Sequence, residues 1–188
     1  GVEVDYLKVD ENGVISLDEL KQKLRKDTTL VSIMHVNNEI GSIQPIEDAA
    51  KLIHENSRAL FHVDAVQSFG KLPLRFNNED SPDILSISGH KIHALKGTGV
   101  IAFRKKIQIE PFILGGGQEF GLRSGTVAVP QAVALAKAAR LTTENLQLNV
   151  ANYRKWRDDL YDFFNTFGEN VQLFSTKDGA PHIVSLAV

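Results

Sequence analysis

The sequence contains no cysteine, which excludes a disulfide framework, a thiolate metal site and a cysteine nucleophile within these 188 residues. It has no apolar run approaching the roughly 20 residues that span a bilayer, and no charged-then-apolar start of the kind that opens a signal peptide. A cytoplasmic protein without a membrane partner is expected. Charge of one sign is also lacking: 21 basic and 23 acidic residues leave a formal net charge of −2. Spread along the chain, they leave no electrostatic footprint for nucleic acid. No internal repeat, low-complexity tract or metal-ligand spacing is visible. What is present is ordinary globular composition, 43% apolar and 23% charged, enough for one domain and part of a second at roughly 150 residues per domain. The chain opens on Gly1 rather than Met and stops at Val188 inside an apolar run, so an internal piece of a longer protein is expected.

Periodicity predicts strands alternating with helices. Residues 2–7 alternate apolar and polar side chains as a strand does, and Asn12-Gly13 supplies a turn. Ser16 and Glu19 have capping-box spacing ahead of Leu17, Leu20 and Leu24 on one helical face. Residues 29–36 are rich in β-branched side chains and suit a buried strand, followed by a polar loop over 37–44. Pro45 fits the first turn of a helix running to about Glu55. Residues 59–63 read as a strand ending at Asp64, residues 84–88 as one ending near Lys91, and residues 100–103 as a further strand of undetermined direction. This rhythm predicts an α/β fold with a mainly parallel sheet, in which ligands collect beyond the carboxyl ends of strands. Residues 130–141 are alanine-rich and helix-forming. From Leu146 to Phe167 the apolar residues keep helical spacing, as a long connecting helix would. Residues 171–174 and 182–188 are strand-like and begin a smaller domain.

The chemistry-bearing residues gather after the strands. Lys91, in Ser88-Gly89-His90-Lys91, follows a buried strand, where an amine can face a cleft and form an imine. A free lysine has a pKa of about 10.4 and needs a desolvated or cationic neighbourhood to be nucleophilic at neutral pH; the competing reading is a solvated surface charge. Asp64 ends its own strand. Pyridoxal phosphate is an electron sink only while its ring nitrogen stays protonated, and a buried carboxylate against that nitrogen secures this; alternatively Asp64 caps the following turn. Asn37 and Asn38 can serve turn chemistry or donate an amide hydrogen bond to the cofactor's ring oxygen, with Gln67 a second donor. The glycine-rich stretch from Gly115 through Arg123, Ser124, Gly125 and Thr126 can approach a phosphate or be a mobile connection, and it matches no dinucleotide or triphosphate motif.

Taken together, HVNNEIG from His35, HVDAVQS from His62, SGHK from Ser88 and GGGQEFGLRSGT from Gly115 resemble the cysteine desulfurases, within the class-V aminotransferase group of fold-type-I pyridoxal-phosphate enzymes. The match in order and spacing runs from Gly1 to about Leu141. The resemblance implies a PLP-dependent transferase-like fold, with residues 1–138 as the C-terminal part of the large cofactor-binding domain. Residues 139–188 would be the connecting helix and the beginning of a small α+β domain. It implies Lys91 for the covalent link to pyridoxal 5'-phosphate, Asp64 for the ring nitrogen, Asn37 and Gln67 near the ring oxygen, and Ser88 and His90 at the phosphate. Thr126 would reach the phosphate of the other subunit in a homodimer. The implied reaction takes L-cysteine to L-alanine and passes sulfur through an enzyme persulfide to an acceptor protein, for iron–sulfur cluster assembly or related sulfur transfer.

The resemblance implies that other family parts would lie outside these residues: a threonine-containing phosphate loop and a ring-stacking histidine before Gly1, the catalytic cysteine and a carboxylate-binding arginine after Val188. Ala94-Leu95 departs from the glycine and proline common in the family before Lys96-Gly97, which bears on the local turn. The competing readings are another class-V aminotransferase or lyase, and a catalytically inactive fragment acting as a binding scaffold. Because sheet edges and apolar faces would lie open, association of the isolated chain is expected.

Overall fold

Residues 1–76 and 79–188 are described by a computed structural model. The strands form where β-branched and aromatic residues can bury one face of a pleat. β1 (Leu30–Met34), β2 (Leu60–Asp64) and β3 (Ile84–Ser88) run parallel, and β4 (Gly99–Phe103) joins β3 antiparallel, in the order β1-β2-β3-β4. The direction of β4 follows from its short connection: a parallel partner needs a crossover of a dozen or more residues, whereas a compact turn through Lys91 returns the chain directly.

Alternation sends Ile33, Phe61, Val63 and Leu85 to one face. There they form a buried core with Ile46, Ala49, Ala50 and Ile53 of helix α2 (Ile46–Asn56) and Leu20 of helix α1 (Leu17–Lys23). Each large apolar side chain so buried contributes about 1.5–3 kcal/mol. The opposite face carries Ser32, His62, Asp64, Ser86 and Ser88, as the register requires. Pro45 stands at the N-cap of α2. Ser16 caps α1 by accepting from the Glu19 N–H at 3.3 Å, but the Glu19 carboxylate accepts from the Lys8 N–H instead of returning to Ser16, so the capping box is one-sided.

One buried carboxylate fastens the strands that deliver the site. Asp83, just before β3, is 4% exposed. Its Oδ2 accepts from the Phe61 N–H at 3.0 Å and lies 2.9 Å from His54 Nε2, while Oδ1 is 3.1 Å from Arg104 Nε. Helix α2, β2, β3 and the end of β4 thus converge on one side chain. Removing one member of a buried ion pair strands the other, so Asp83→Ala is expected to cost about 3 kcal/mol in urea unfolding. A loss below about 0.5 kcal/mol, the range of neutral surface changes, would contradict this account.

One expectation changes. Residues 2–7 do not form a strand: they have no strand partner among the described residues, and Val2 and Tyr6 are 85% and 80% exposed. Alternation alone cannot make a strand without a ladder to join. The two helical stretches expected near the C-terminus are α3 (Val129–Glu144) and α4 (Leu146–Asn165), parted at Asn145. Beyond α4, β5 (Gln172–Leu173) and β6 (Leu186–Ala187) pair antiparallel. Tyr161, buried in α4, donates its hydroxyl to the Ser175 carbonyl at 2.7 Å and holds that small sheet to the helix. Among the described residues, no helix is long and apolar enough to cross a membrane.

Candidate functional site

Met34, Asp64 and Ser88 end the three parallel strands. Met34 is in register with Asp64, and Asp64 with Ser86. The loop holding Asn37, the turn holding Gln67 and the 3-10 turn Gly89–Ile92 holding His90 and Lys91 therefore leave one edge of the sheet, in adjacent positions. This is where an open α/β sheet places its ligands.

At several of these residues the turn reading holds, and polar atoms are left over beside it. Asp64 Oδ1 accepts from the Val66 N–H at 2.9 Å, which caps the turn; no hydrogen bond to its second oxygen is found among the described residues. Asn37 Oδ1 accepts from the N–H groups of Glu39 and Ile40 at 2.9 and 3.0 Å. Its Nδ2 makes only a long 3.6 Å contact with Met34 Sδ, so the turn orients the amide and leaves its donors available. Ser88 Oγ lies 2.8 Å from His90 Nδ1, and the two form one unit beside the exposed Lys91.

The lysine turn is built on a glycine for steric reasons. A Cβ on Gly89 would stand 2.2 Å from Thr98 Oγ1 and 3.0 Å from Leu135 Cδ1 of α3. The turn ends with His93 in the left-handed region at φ 67°, and the Ala94 N–H donates to the Gly89 carbonyl at 3.0 Å. The turn thus closes with Ala94-Leu95 in place.

The glycine-rich loop is arranged differently from a phosphate cradle. The Gly117 N–H donates to Ser124 Oγ and the Gly125 N–H to Gln118 Oε1, so these amides serve the loop itself. Thr126 is exposed and makes no hydrogen bond to the strand ends among the described residues. Nearby Phe112, Leu114 and Phe120 are 97%, 78% and 102% exposed.

Sequence reasoning missed Lys71 and His182. Lys71 Nζ is buried and has no hydrogen-bond partner among the described residues; burial, and then the charge of Lys91, push it down to about 8. His182 is held down to about 4 by burial and by Lys71, against the pull of the Gln67 main chain. Basic groups from distant segments therefore lie beside the lysine turn. Lys71 follows a glycine, and no sequence pattern distinguishes it from a solvated lysine.

His35 is 6% exposed, and burial pushes it down to about 4. An unfolded histidine titrates near 6.5. Between pH 6.5 and 4 the unfolded chain therefore takes up a proton that the folded chain does not, and stability falls as pH falls through that window. For His35 the expected loss is about 3 kcal/mol, to be measured as urea midpoints at pH 7 and pH 4. His35→Gln should remove this share of the slope and leave that of His182, which is also held down to about 4; an unchanged slope would show that His35 does not contribute. His35 also lines a cleft of about 240 Å³ with Gln44, Pro73 and Arg75, which contains none of the strand-end residues.

A flat, anionic pyridine aldehyde needs an amine, a carboxylate for its ring nitrogen and donors for its oxygens. Lys91, the unbonded oxygen of Asp64, Asn37 Nδ2, Ser88 and His90 provide that set at one sheet edge, so the residues present fit the group. Among the described residues no cluster suited to a metal ion is found.

Comparison with known proteins bears on the cofactor. The class-V aminotransferase family matches residues 1–187; its members use pyridoxal phosphate. A mitochondrial cysteine desulfurase of Candida albicans is 48% identical over 157 residues, covering 82% of this chain and 32% of the relative. The cysteine desulfurase IscS of Pectobacterium carotovorum is 42% identical over 189 residues, covering 100% of this chain and 46% of the relative. A solved structure of a NifS-like protein superposes with a TM-score of 0.94 at 39% identity, over 99% of this chain and 51% of that one. The chain spans less than half the length of these two curated relatives.

Proposed function

The chain belongs to the class-V aminotransferase family, and from that premise we propose that it is the cofactor-binding stretch of a pyridoxal-phosphate cysteine desulfurase. The observation that carries the proposal is the pair formed by Asp64, with one carboxylate oxygen unbonded, and Lys91, on the turn leaving the neighbouring strand. When bound, pyridoxal phosphate supplies an electron sink for reaction at the substrate's α-carbon. Lys91 holds the cofactor and moves the α-proton as acid and base. Asp64 keeps the ring nitrogen protonated, Asn37 and Gln67 face the ring oxygen, and Ser88 and His90 hold the phosphate. Thr126 reaches the phosphate of a second copy in a homodimer, for which the exposed Phe112, Leu114 and Phe120 offer an apolar surface.

In this reading residues 1–138 complete the large domain, and residues 139–188 form the connecting helix and open the small one. The whole enzyme converts L-cysteine to L-alanine in the cytoplasm and hands sulfur to an acceptor protein for iron–sulfur cluster assembly. The sulfur-accepting thiolate must come from elsewhere, since a thiolate is the competent nucleophile and these residues include no cysteine.

The test is spectroscopic and chemical. The chain mixed with pyridoxal phosphate should gain an absorbance near the visible edge, bind L-cysteine with a change in that band, and release no alanine. Absence of the band would remove the cofactor assignment; alanine production by this chain alone would remove the requirement for an outside thiolate.

A further inference from the structure

Parallel strands in a covered sheet are built mainly of valine, isoleucine and leucine, and the core face of β1 to β3 conforms, with Ile33, Phe61, Val63 and Leu85. The face that carries Asp64 does not. Ser32 is the register partner of His62, and Ser86 that of Asp64. The His62 imidazole reaches both neighbouring strands: Nδ1 lies 2.8 Å from Ser32 Oγ and Nε2 lies 2.8 Å from Ser86 Oγ. One ring therefore bridges three strands, one pleat before Asp64 on the same face. Giving up apolar packing at three adjacent strand positions is a local departure of the kind that marks functional sites.

The bridge has chemical consequences. A neutral imidazole donates from one nitrogen and accepts at the other, so one serine hydroxyl donates to the ring and the other accepts from it. With a partner on each nitrogen the ring plane is fixed. Burial holds His62 below the ordinary histidine range against the pull of Asp64. The ring is accordingly neutral at pH 7, and no imidazolium competes for the Asp64 carboxylate.

We propose that His62 is a positioning residue for the cofactor, acting through Asp64: the Ser32–His62–Ser86 bridge fixes the spacing of the β1, β2 and β3 ends so that the unbonded oxygen of Asp64 meets the ring nitrogen. The proposal rests on the reading of Asp64 and Lys91 as the pyridoxal phosphate site. It assigns to the FHVDA stretch a second polar residue with the same strand parity as Asp64.

The experiment measures pyridoxal phosphate affinity, the pH midpoint of the bound cofactor's absorbance, and the thermal midpoint of the cofactor-free protein, for His62→Phe and His62→Gln. Each substitution is made in the wild-type and the Asp64→Asn background. Loss of two hydrogen bonds of this kind corresponds to about a tenfold effect. His62→Phe is therefore expected to weaken binding about tenfold and move the absorbance midpoint. His62→Gln, whose carboxamide can still reach a serine, should recover most of the loss. In the Asp64→Asn background His62→Phe should cost less than about twofold, because residues that act as one unit are not additive. Ser86→Ala removes one end of the bridge and keeps the ring, so it serves if His62→Phe does not fold; a loss of a few-fold is expected. An additive loss in both backgrounds, or a lowered thermal midpoint with unchanged affinity and absorbance, would overturn the proposal. Failure of the wild-type chain to take up the cofactor would overturn it too, and would be recognisable as failure of the underlying site because it precedes any change at His62.

Discussion

Lys91→Ala is expected to abolish the absorbance that pyridoxal phosphate acquires on the chain, while the cofactor-free protein unfolds as before. The two halves of this result have separate physical causes. Lys91 is exposed on its 3-10 turn and makes no ion pair among the described residues, so its removal should stay within about 0.5 kcal/mol in stability. The covalent link has no substitute. One competing amine, Lys71, has its Nζ buried in the protein, and a guanidinium cannot replace an amine in this role, so Lys91→Arg should fail equally. Comparing spectra with urea midpoints separates a lost link from a lost fold. A band that survives in Lys91→Ala would mean that another amine carries the cofactor.

Asp64→Asn should weaken cofactor binding about a hundredfold to several thousandfold with little change in stability. Stranding one partner of a buried ion pair costs about 3–5 kcal/mol, and each 1.4 kcal/mol is tenfold in affinity. The asparagine oxygen can still accept from the Val66 N–H that Asp64 Oδ1 holds at 2.9 Å, so the turn cap persists. Asp64→Ala loses both duties and should add about 1 kcal/mol of destabilisation for the missing hydrogen bond. The contrast between the two substitutions separates the cap from the charge. Equal affinities for wild type and Asp64→Asn would mean that the carboxylate does not face the ring nitrogen.

Much of this arrangement was legible in the sequence, for reasons that differ by element. Residues 84–88 and 59–63 announced themselves by β-branched and apolar runs bounded by polar turns, and β3 and β2 lie there. Parallel strands expose their carboxyl ends together, so placing Asn37, Asp64 and Lys91 after consecutive strands was enough to bring them to one edge. Residues 2–7 misled because alternation describes a face, and a strand also needs a neighbour. The direction of β4 was hidden because a run of apolar residues carries no polarity; the length of the intervening turn decided it. The break between the two C-terminal helices was visible because the alanine-rich run ends at Leu141 and a new apolar spacing starts at Leu146, and Asn145 lies between them. Lys71 and His182 were missed because their burial arises from segments far apart in the chain. His62 could have been seen: it shares strand parity with Asp64, and a polar residue inside a parallel strand needs a reason.

The central claim is that the amine reacting with the cofactor is the one on the turn after β3, opposite the carboxylate that ends β2. Loading the chain with pyridoxal phosphate, reducing with borohydride and mapping the modified peptide by mass spectrometry tests this directly, since hydride addition across the carbon–nitrogen double bond leaves a stable secondary amine. The pyridoxyl group should be found on Lys91. A mark on Lys71, or one scattered over surface lysines, would contradict the site described.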